Sequence, residues 1–206
     1  MARDLGSIVK MSRREGYALH PKAHKALVKR SATPGQKAGS RPPMRGGSQY
    51  GISLREKQKV KRMYGLLEKQ FAKLYAEASQ TRGQSGEAML KFLELRLDNT
   101  IYRAGYATSR RAARQLVSHG HFMVNDRRVD IPSLRVKVGD KIALKPSSFN
   151  SGYFKNIDDV SPKPASIPAW LKVDRKKFEV SVAGIPTRDD AEEGINEQLI
   201  VEYYSR

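Results

Sequence analysis

The chain has 206 residues, 39% hydrophobic and 29% charged, with a formal net charge of +18 and no cysteine. Lack of cysteine excludes a disulfide framework, a thiolate metal site and a cysteine nucleophile, and so large a positive excess requires an anionic polymer or an anionic membrane as partner. No apolar run approaches the roughly 20 residues of a spanning helix and the basic segments lack a broad Leu/Phe/Trp face, so nucleic acid is the better match.

The excess is unevenly placed. Residues 1–50 carry eleven basic side chains against two acidic, residues 51–82 eight against three, and residues 83–145 twelve against six, whereas residues 146–206 carry eight against ten. The cationic surface therefore belongs to the first two thirds of the chain. The start, Met-Ala-Arg-Asp-Leu-Gly, has no apolar leader core, which predicts a cytoplasmic rather than a secreted protein.

Residues 1–50 have a Pro/Gly-punctuated middle, residues 32–47, and little periodic apolar pattern. Such a segment buries too little surface to offset the entropy of ordering, so it is expected to be a basic, largely irregular arm that orders on its partner. His20 and His24 stand four residues apart, but no cysteine or nearby carboxylate completes a metal set. No metal or other cofactor is expected.

Ser53-Leu-Arg-Glu56 has the form of a capping box, and Val60, Tyr64, Leu67, Phe71, Leu74 and Ala78 follow at three- and four-residue steps, which predicts one long amphipathic helix. Arg55, Lys57, Lys59, Lys61 and Arg62 would crowd its first two turns, where the macrodipole favours acids. A sequence tuned only for helix stability would avoid this, so the cluster is read as serving a ligand anion.

A second helical pattern runs through Met89, Leu90, Leu93, Leu95, Leu97, Ile101 and Tyr102 to a stop at Gly105. Residues 108–124 then read as a short helix, a glycine stop and a strand, with Thr108 or Ser109 as N-cap and Gly120 closing the helix. At roughly 100° per residue, Arg110, Arg111, Arg114, Gln115 and Ser118 share one arc, and Ala112, Ala113, Leu116 and Val117 fill the opposite one. Three guanidinium groups are thus expected on one surface, suited to paired hydrogen bonds with phosphate.

Further on, Asn125-Asp126 supplies a turn, and residues 136–138 and 141–144 around Gly139-Asp140 read as a tight hairpin. Residues 146–169, with Ser, Pro, Asn and Gly throughout, predict an irregular excursion, and Leu171 to Val173 and Phe178 to Val182 predict paired edge strands. The acidic stretch Asp189 to Glu193 leads to Leu199–Tyr203, a last strand or turn of helix. The expected architecture is α+β. A mainly helical first domain comes from residues 51–90 and 176–206, and residues 91–175 form an inserted helix, helix and small-sheet RNA-binding module with its excursion.

Six motifs follow in order along the whole chain: Met11-Ser-Arg-Arg-Glu-Gly16, Pro34-Gly-Gln36, Tyr50-Gly-Ile-Ser-Leu-Arg-Glu-Lys-Gln-Lys-Val60, Arg96-Leu-Asp-Asn99, Ala113-Arg-Gln-Leu-Val-Ser-His-Gly-His121 and Ile195-Asn-Glu-Gln-Leu-Ile-Val-Glu202. Together they resemble the bacterial form of the small-ribosomal-subunit protein four family, with Met11 a slight departure in the first. Residues 94–145 also resemble the small RNA-binding module that this family shares with several RNA-modifying enzymes. Some relatives hold zinc through cysteines in the arm; this chain has none, so it resembles the zinc-free form. Modules of this kind commonly turn on Asn-Gly, whereas here Asp126 follows Asn125, and Asp adopts positive φ less readily than Gly.

The resemblance implies a primary binder of small-subunit ribosomal RNA that docks early on a multi-helix junction, nucleates assembly and sits in the small ribosomal subunit. It also implies contact with neighbouring small-subunit ribosomal proteins at an interface linked to decoding accuracy, and, in some members, binding of messenger RNA. Carried over residue by residue, RNA contacts fall to Arg13, Arg14, Arg55, Lys57, Lys59, Lys61, Arg62, Arg110, Arg111, Arg114, Gln115, Ser118 and His119. Arg3, Arg41 and Arg45 of the arm and Arg127 beyond the turn complete the expected set.

Recognition is expected to rest on shape and phosphate spacing, because A-form RNA hides the base edges of its major groove. Tyr50, Tyr106 and Tyr153 are candidates for stacking on unpaired bases, whereas Tyr64 and Tyr102, at helical spacing, are assigned to the core. Leu95-Arg-Leu-Asp98 also resembles the motif around the catalytic aspartate of pseudouridine synthases. No separate stretch of roughly 150 residues remains to build a catalytic domain, so no enzyme activity is expected and Asp98 is read as structural. The competing reading is a free RNA chaperone or translational repressor using the same face away from the ribosome.

Overall fold

The structure, a computed structural model, describes residues 6–30, 32–35, 48–164 and 166–205. The chain divides into two compact units, Met1–Ala88 with Glu193–Arg206, and Met89–Glu192.

The first unit is helical. Its helices are α1 (Ile8–Glu15), α2 (Pro21–Lys29), α3 (Gln49–Met63), α4 (Glu68–Ser79), the start of α5 (Ser85–Glu94) and α10 (Glu197–Tyr204). Residues 8–15 and 21–29 are thus helical where composition predicts little regular structure. Gly16 ends α1 at φ +65, and His20 caps α2 by accepting from the Lys22 N–H at 3.0 Å through Nδ1. His20 therefore serves as a cap.

The capping box expected at Ser53 is not one. Ser48 caps α3 by accepting from Gly51 N at 3.1 Å, and Ser53 lies one turn inside, buried, donating to Gln49 O at 2.9 Å and to Glu202 Oε2 at 3.2 Å. Nor is the apolar stripe one helix. Gly65 takes φ +66 between α3 and α4, which leaves Val60 and Tyr64 at the end of the first and Phe71, Leu74 and Ala78 in the second. Their stripe stays in register because all five side chains are buried in the core of this unit.

The second unit is α+β. The expected second helix breaks after Glu94, where α5 ends; Arg96 bridges to Arg135, Leu97 N donates to Leu134 O at 2.8 Å, and α6 (Leu97–Arg103) starts afresh. After α7 (Arg110–Ser118) come β1 (Phe122–Val124), β2 (Arg127–Val129), β3 (Lys141–Leu144), β4 (Leu171–Asp174) and β5 (Glu179–Val182), forming an antiparallel sheet in the order β2-β1-β3-β5-β4. The tight hairpin is therefore β1–β2. Residues 136–138 are not a strand, and β3 pairs instead with β1 and β5.

At the β1–β2 turn both Asn125 (φ +49) and Asp126 (φ +63) are left-handed, the type I′ geometry that matches strand twist. Asp126 is tolerated at this φ because Asn125 anchors the turn, donating to Asp140 Oδ1 at 2.8 Å and accepting from Lys141 N at 3.0 Å.

The excursion is only partly irregular: it contains a 3₁₀ turn at Pro146–Ser148, α8 (Gly152–Lys155) and α9 (Ile157–Val160). Of the two expected edge strands only β4 is an edge. Because β5 lies inside the sheet, the boundary drawn at residue 176 falls instead at 193. Leu199–Tyr203 lies within α10. Phe122, Val124, Ile142, Leu144, Val180 and Val182 share the sheet face packed into one core with Leu97 and Ile101 of α6 and Ala113 and Val117 of α7.

Candidate nucleic-acid interface

Helix α7 begins where Ser109 Oγ accepts from Ala112 N at 3.2 Å and ends before Gly120, at φ +70. Ala113 and Val117 are fully buried, while Arg111, Gln115, Ser118 and His119 are exposed. The three arginines, however, do not share a surface. Arg114 is only 7% exposed, with Nη1 3.3 Å from Asp98 Oδ2, and Asp98 also accepts from Arg96 at 3.1 and 2.8 Å. Asp98 is thus the centre of a buried ion triad.

Arg110 is held as well. Its Nε donates to Asn99 Oδ1 at 2.8 Å, its Nη2 lies 2.7 Å from Glu192 Oε1, and its guanidinium sits 4.6 Å from the centre of the Tyr102 ring. Burial pushes the Glu192 carboxyl up, but the Arg110 and Arg103 guanidiniums outweigh burial and hold it below the usual carboxylate range. Tyr102 is half-buried against the core as expected, and Tyr106, fully buried, has no face to offer a base. Tyr153 is half-buried and donates to Tyr106 O at 3.0 Å.

What α7 does present is joined at its carboxyl end by one arginine of the hairpin. Arg127 and Arg128 are both exposed on β2. Arg128, which sequence reasoning missed, lies across Gly120: a Cβ there would stand 2.6 Å from Arg128 Nε. This sets its guanidinium at the carboxyl end of α7, where the helix dipole favours a cation. The signal available in the sequence was a glycine followed eight residues later by a second arginine beside Arg127. His121 donates or accepts with Ser148 Oγ at 3.0 Å, and burial, followed by the positive charges of His119 and Lys145, pushes its pKa below the usual 6.5.

In the first unit the cluster on α3 runs from the middle of the helix to its last turn, where cations suit the dipole. The inference from misplaced cations therefore fails. Lys57 is 3% exposed and bonds Glu68 Oε1 at 2.6 Å beneath the Tyr203 ring, 4.3 Å from its centre. Lys61 reaches Glu68 Oε2 at 2.9 Å, and Lys59 reaches Glu56 at 2.8 Å and Gly194 O at 2.6 Å. Burial raises the Glu68 carboxyl, but the hydrogen bonds from Lys57 and Lys61 bring it below the usual range.

Arg62 and Arg55 both pair with Glu15 of α1, Arg55 at 3.4 Å and still half exposed. Arg13 donates to Ala32 O at 3.0 and 2.8 Å, and Arg14 is exposed. Tyr64 is buried as expected, and Tyr50 is exposed with its ring 5.6 Å from that of Tyr203. Arg3, Arg41 and Arg45 lie outside the described residues. Among the described residues no group of three His, Asp or Glu side chains is placed to hold a metal ion, and no helix is long and apolar enough to cross a membrane.

The chain is similar to known proteins along its whole length. The family described as "Ribosomal protein S4/S9 N-terminal domain" matches residues 3–94, and the family described as "S4 domain" matches residues 95–142. Proteins named small ribosomal subunit protein uS4 are 49% identical over 207 residues in Chloroflexus aurantiacus, 48% over 212 in Clostridioides difficile and 47% over 207 in Chlorobium limicola. In each case 100% of both chains is covered.

Proposed function

This chain belongs to the ribosomal protein S4 family, and on that premise we propose that it binds small-subunit ribosomal RNA early in assembly and holds a multi-helix junction in its assembled shape. It is a structural, RNA-binding protein of the small ribosomal subunit and not an enzyme. Asp98, the residue that resembles a synthase aspartate, is committed to Arg96 and Arg114. The observation that carries the proposal is the exposed row of Arg111, Gln115, Ser118 and His119 on α7, with Arg128 of β2 lying across Gly120 at its end and Arg127 exposed on the other face of the same strand.

These groups stand on rigid elements, so they meet phosphates at fixed spacing and their immobilisation costs little on binding. Lys57 and Arg114, buried in ion pairs, serve the framework in this reading rather than the RNA. Arg55 and Arg14 extend the contact surface in the first unit. Neighbouring ribosomal proteins, a role in decoding accuracy, messenger RNA as a second ligand and a cytoplasmic location all belong to the proposal. Two measurements test it. Affinity for small-subunit ribosomal RNA falls with salt at a slope of about −0.7 to −0.9 per ionic contact, and sedimentation of cell extract finds the chain stoichiometric in small subunits. A chain found only in the free pool would favour the chaperone or repressor reading.

A further inference from the structure

We infer that the second unit carries a separate subsite for one unpaired nucleotide of the bound RNA, in the cleft between the end of α6, the excursion and the β4–β5 turn. The inference rests on the RNA-binding reading and adds to it a place where a base is held rather than a phosphate row. The cleft, open to solvent on one side, has a volume of about 460 Å³, within the about 300–1,000 Å³ of small-ligand sites. Ala104, Pro164, Ile167 and Val173 give it apolar walls, and Arg175, Lys163 and Lys176 stand around it.

The cleft is built. Gly105, at φ +79, lets the excursion lie close: a Cβ there would be 2.4 Å from Pro164 Cδ. Gly105 O accepts from Ser161 Oγ at 3.0 Å and from Arg175 Nη1 at 3.2 Å. Arg175 also donates to Asp158 Oδ1 at 2.9 Å and to Ser161 O, so three acceptors fix the plane of its guanidinium. Tyr106 Oη donates to Asp174 O at 3.2 Å from the core side. Asp174, the acid in the lining, spends Oδ1 on the N–H groups of Lys176 and Lys177, at 3.1 and 3.2 Å.

These parts match the chemistry of a nucleotide. A guanidinium with its plane fixed and apolar side chains lining the same cleft are the kinds of group on which single-stranded bases stack. Lys163 and Lys176 are exposed, and among the described residues neither ammonium is in an ion pair, so both are available for the attached phosphates. The guanidinium itself, committed to three oxygens, supplies a stacking surface and not an anion contact. A peptide without acidic side chains would leave the two ammonium groups without a partner, whereas a nucleotide within a chain brings a phosphate on either side of the base.

The test uses the full chain and purified small-subunit ribosomal RNA, crosslinked by ultraviolet light, with the crosslinked peptides identified by mass spectrometry. A nucleotide attached within residues 161–177 is the expected result. Two variants accompany the native chain. Lys163→Gln with Lys176→Gln weakens RNA binding about 5- to 30-fold and reduces the salt slope by about 1.4 to 1.8, two contacts' worth. Ile167→Trp fills the cleft and abolishes the crosslink at residues 161–177 while crosslinks elsewhere and the thermal unfolding midpoint persist.

Crosslinks confined to other parts of the native chain, or a double lysine variant with native affinity and slope, would overturn the subsite and leave the RNA-binding reading standing. Failure of the native chain to bind the RNA at all would overturn the reading itself.

Discussion

Replacing Arg114 and replacing Arg111, three residues apart on one helix, should separate framework from interface. Arg114 and Asp98 are 7% and 4% exposed and 3.3 Å apart, and Asp98 keeps two hydrogen bonds from Arg96. Orphaning a buried charge costs about 3–5 kcal/mol. Because Asp98 retains one bidentate partner in Arg114→Met, the expected loss is smaller, about 2–3 kcal/mol. For a chain of this size each kcal/mol shifts the unfolding temperature by roughly 2–4 °C, so the unfolding transition of the chain should fall by about 4–12 °C.

Arg111 is exposed, and Arg111→Ala should change stability by less than about 0.5 kcal/mol. It should nevertheless weaken RNA binding about fivefold, the worth of one solvent-exposed ionic contact near 1 kcal/mol. Thermal unfolding followed by circular dichroism and equilibrium binding to small-subunit ribosomal RNA give the two readouts. A double-mutant cycle with Asp98→Asn isolates the coupling. If Arg114→Met melts like the native chain and loses only RNA affinity, the assignment of Arg114 to the framework is wrong.

Other outcomes follow from the same contacts. Gly120→Ala forces a side chain into left-handed backbone and against Arg128, and should cost about 1–2 kcal/mol together with a several-fold loss of RNA affinity, read by the same two assays. Glu192, whose folded-state pKa is depressed, contributes stability that is present above about pH 4.5 and lost as pH falls through its lower folded value; Glu192→Gln should flatten that acid limb of the denaturation midpoint. His121, depressed as well, is favoured neutral in the fold, so stability should rise as pH climbs from its lower folded value to about 6.5 and level off above, and His121→Gln should remove the rise. Glu15→Ala strands Arg62, and urea denaturation of the first unit should show a loss of about 1–3 kcal/mol.

Local rules made much of this molecule legible. The Ser109 cap, the Gly120 stop and the small apolar side of α7 follow from spacing alone, as do the β4 and β5 segments. What spacing could not show is where a charge finds its partner. The arc holding Arg110, Arg111 and Arg114 is real, but Asp98 lies sixteen residues before Arg114 and Glu192 eighty-two after Arg110, so two of the three cations are drawn inward by residues no helical wheel contains. Likewise Lys57 and Lys61 of α3 are satisfied by Glu68 beyond the Gly65 break, and Lys59 reaches the carbonyl of Gly194. The β3 error has the same origin: Gly139-Asp140 looks like a hairpin turn locally, yet β3 satisfies its backbone with β1 and β5.

The central claim is that the exposed arginines of α7 and β2 meet ribosomal RNA. It is tested most directly by arginine footprinting, in which the free chain and the chain reconstituted on small-subunit ribosomal RNA are treated with phenylglyoxal and the modified residues are mapped by mass spectrometry. The account predicts that Arg111, Arg127 and Arg128 react in the free chain and are protected on the RNA, while Arg96 and Arg114 are unreactive in both. Equal reactivity of Arg111, Arg127 and Arg128 with and without RNA would contradict it.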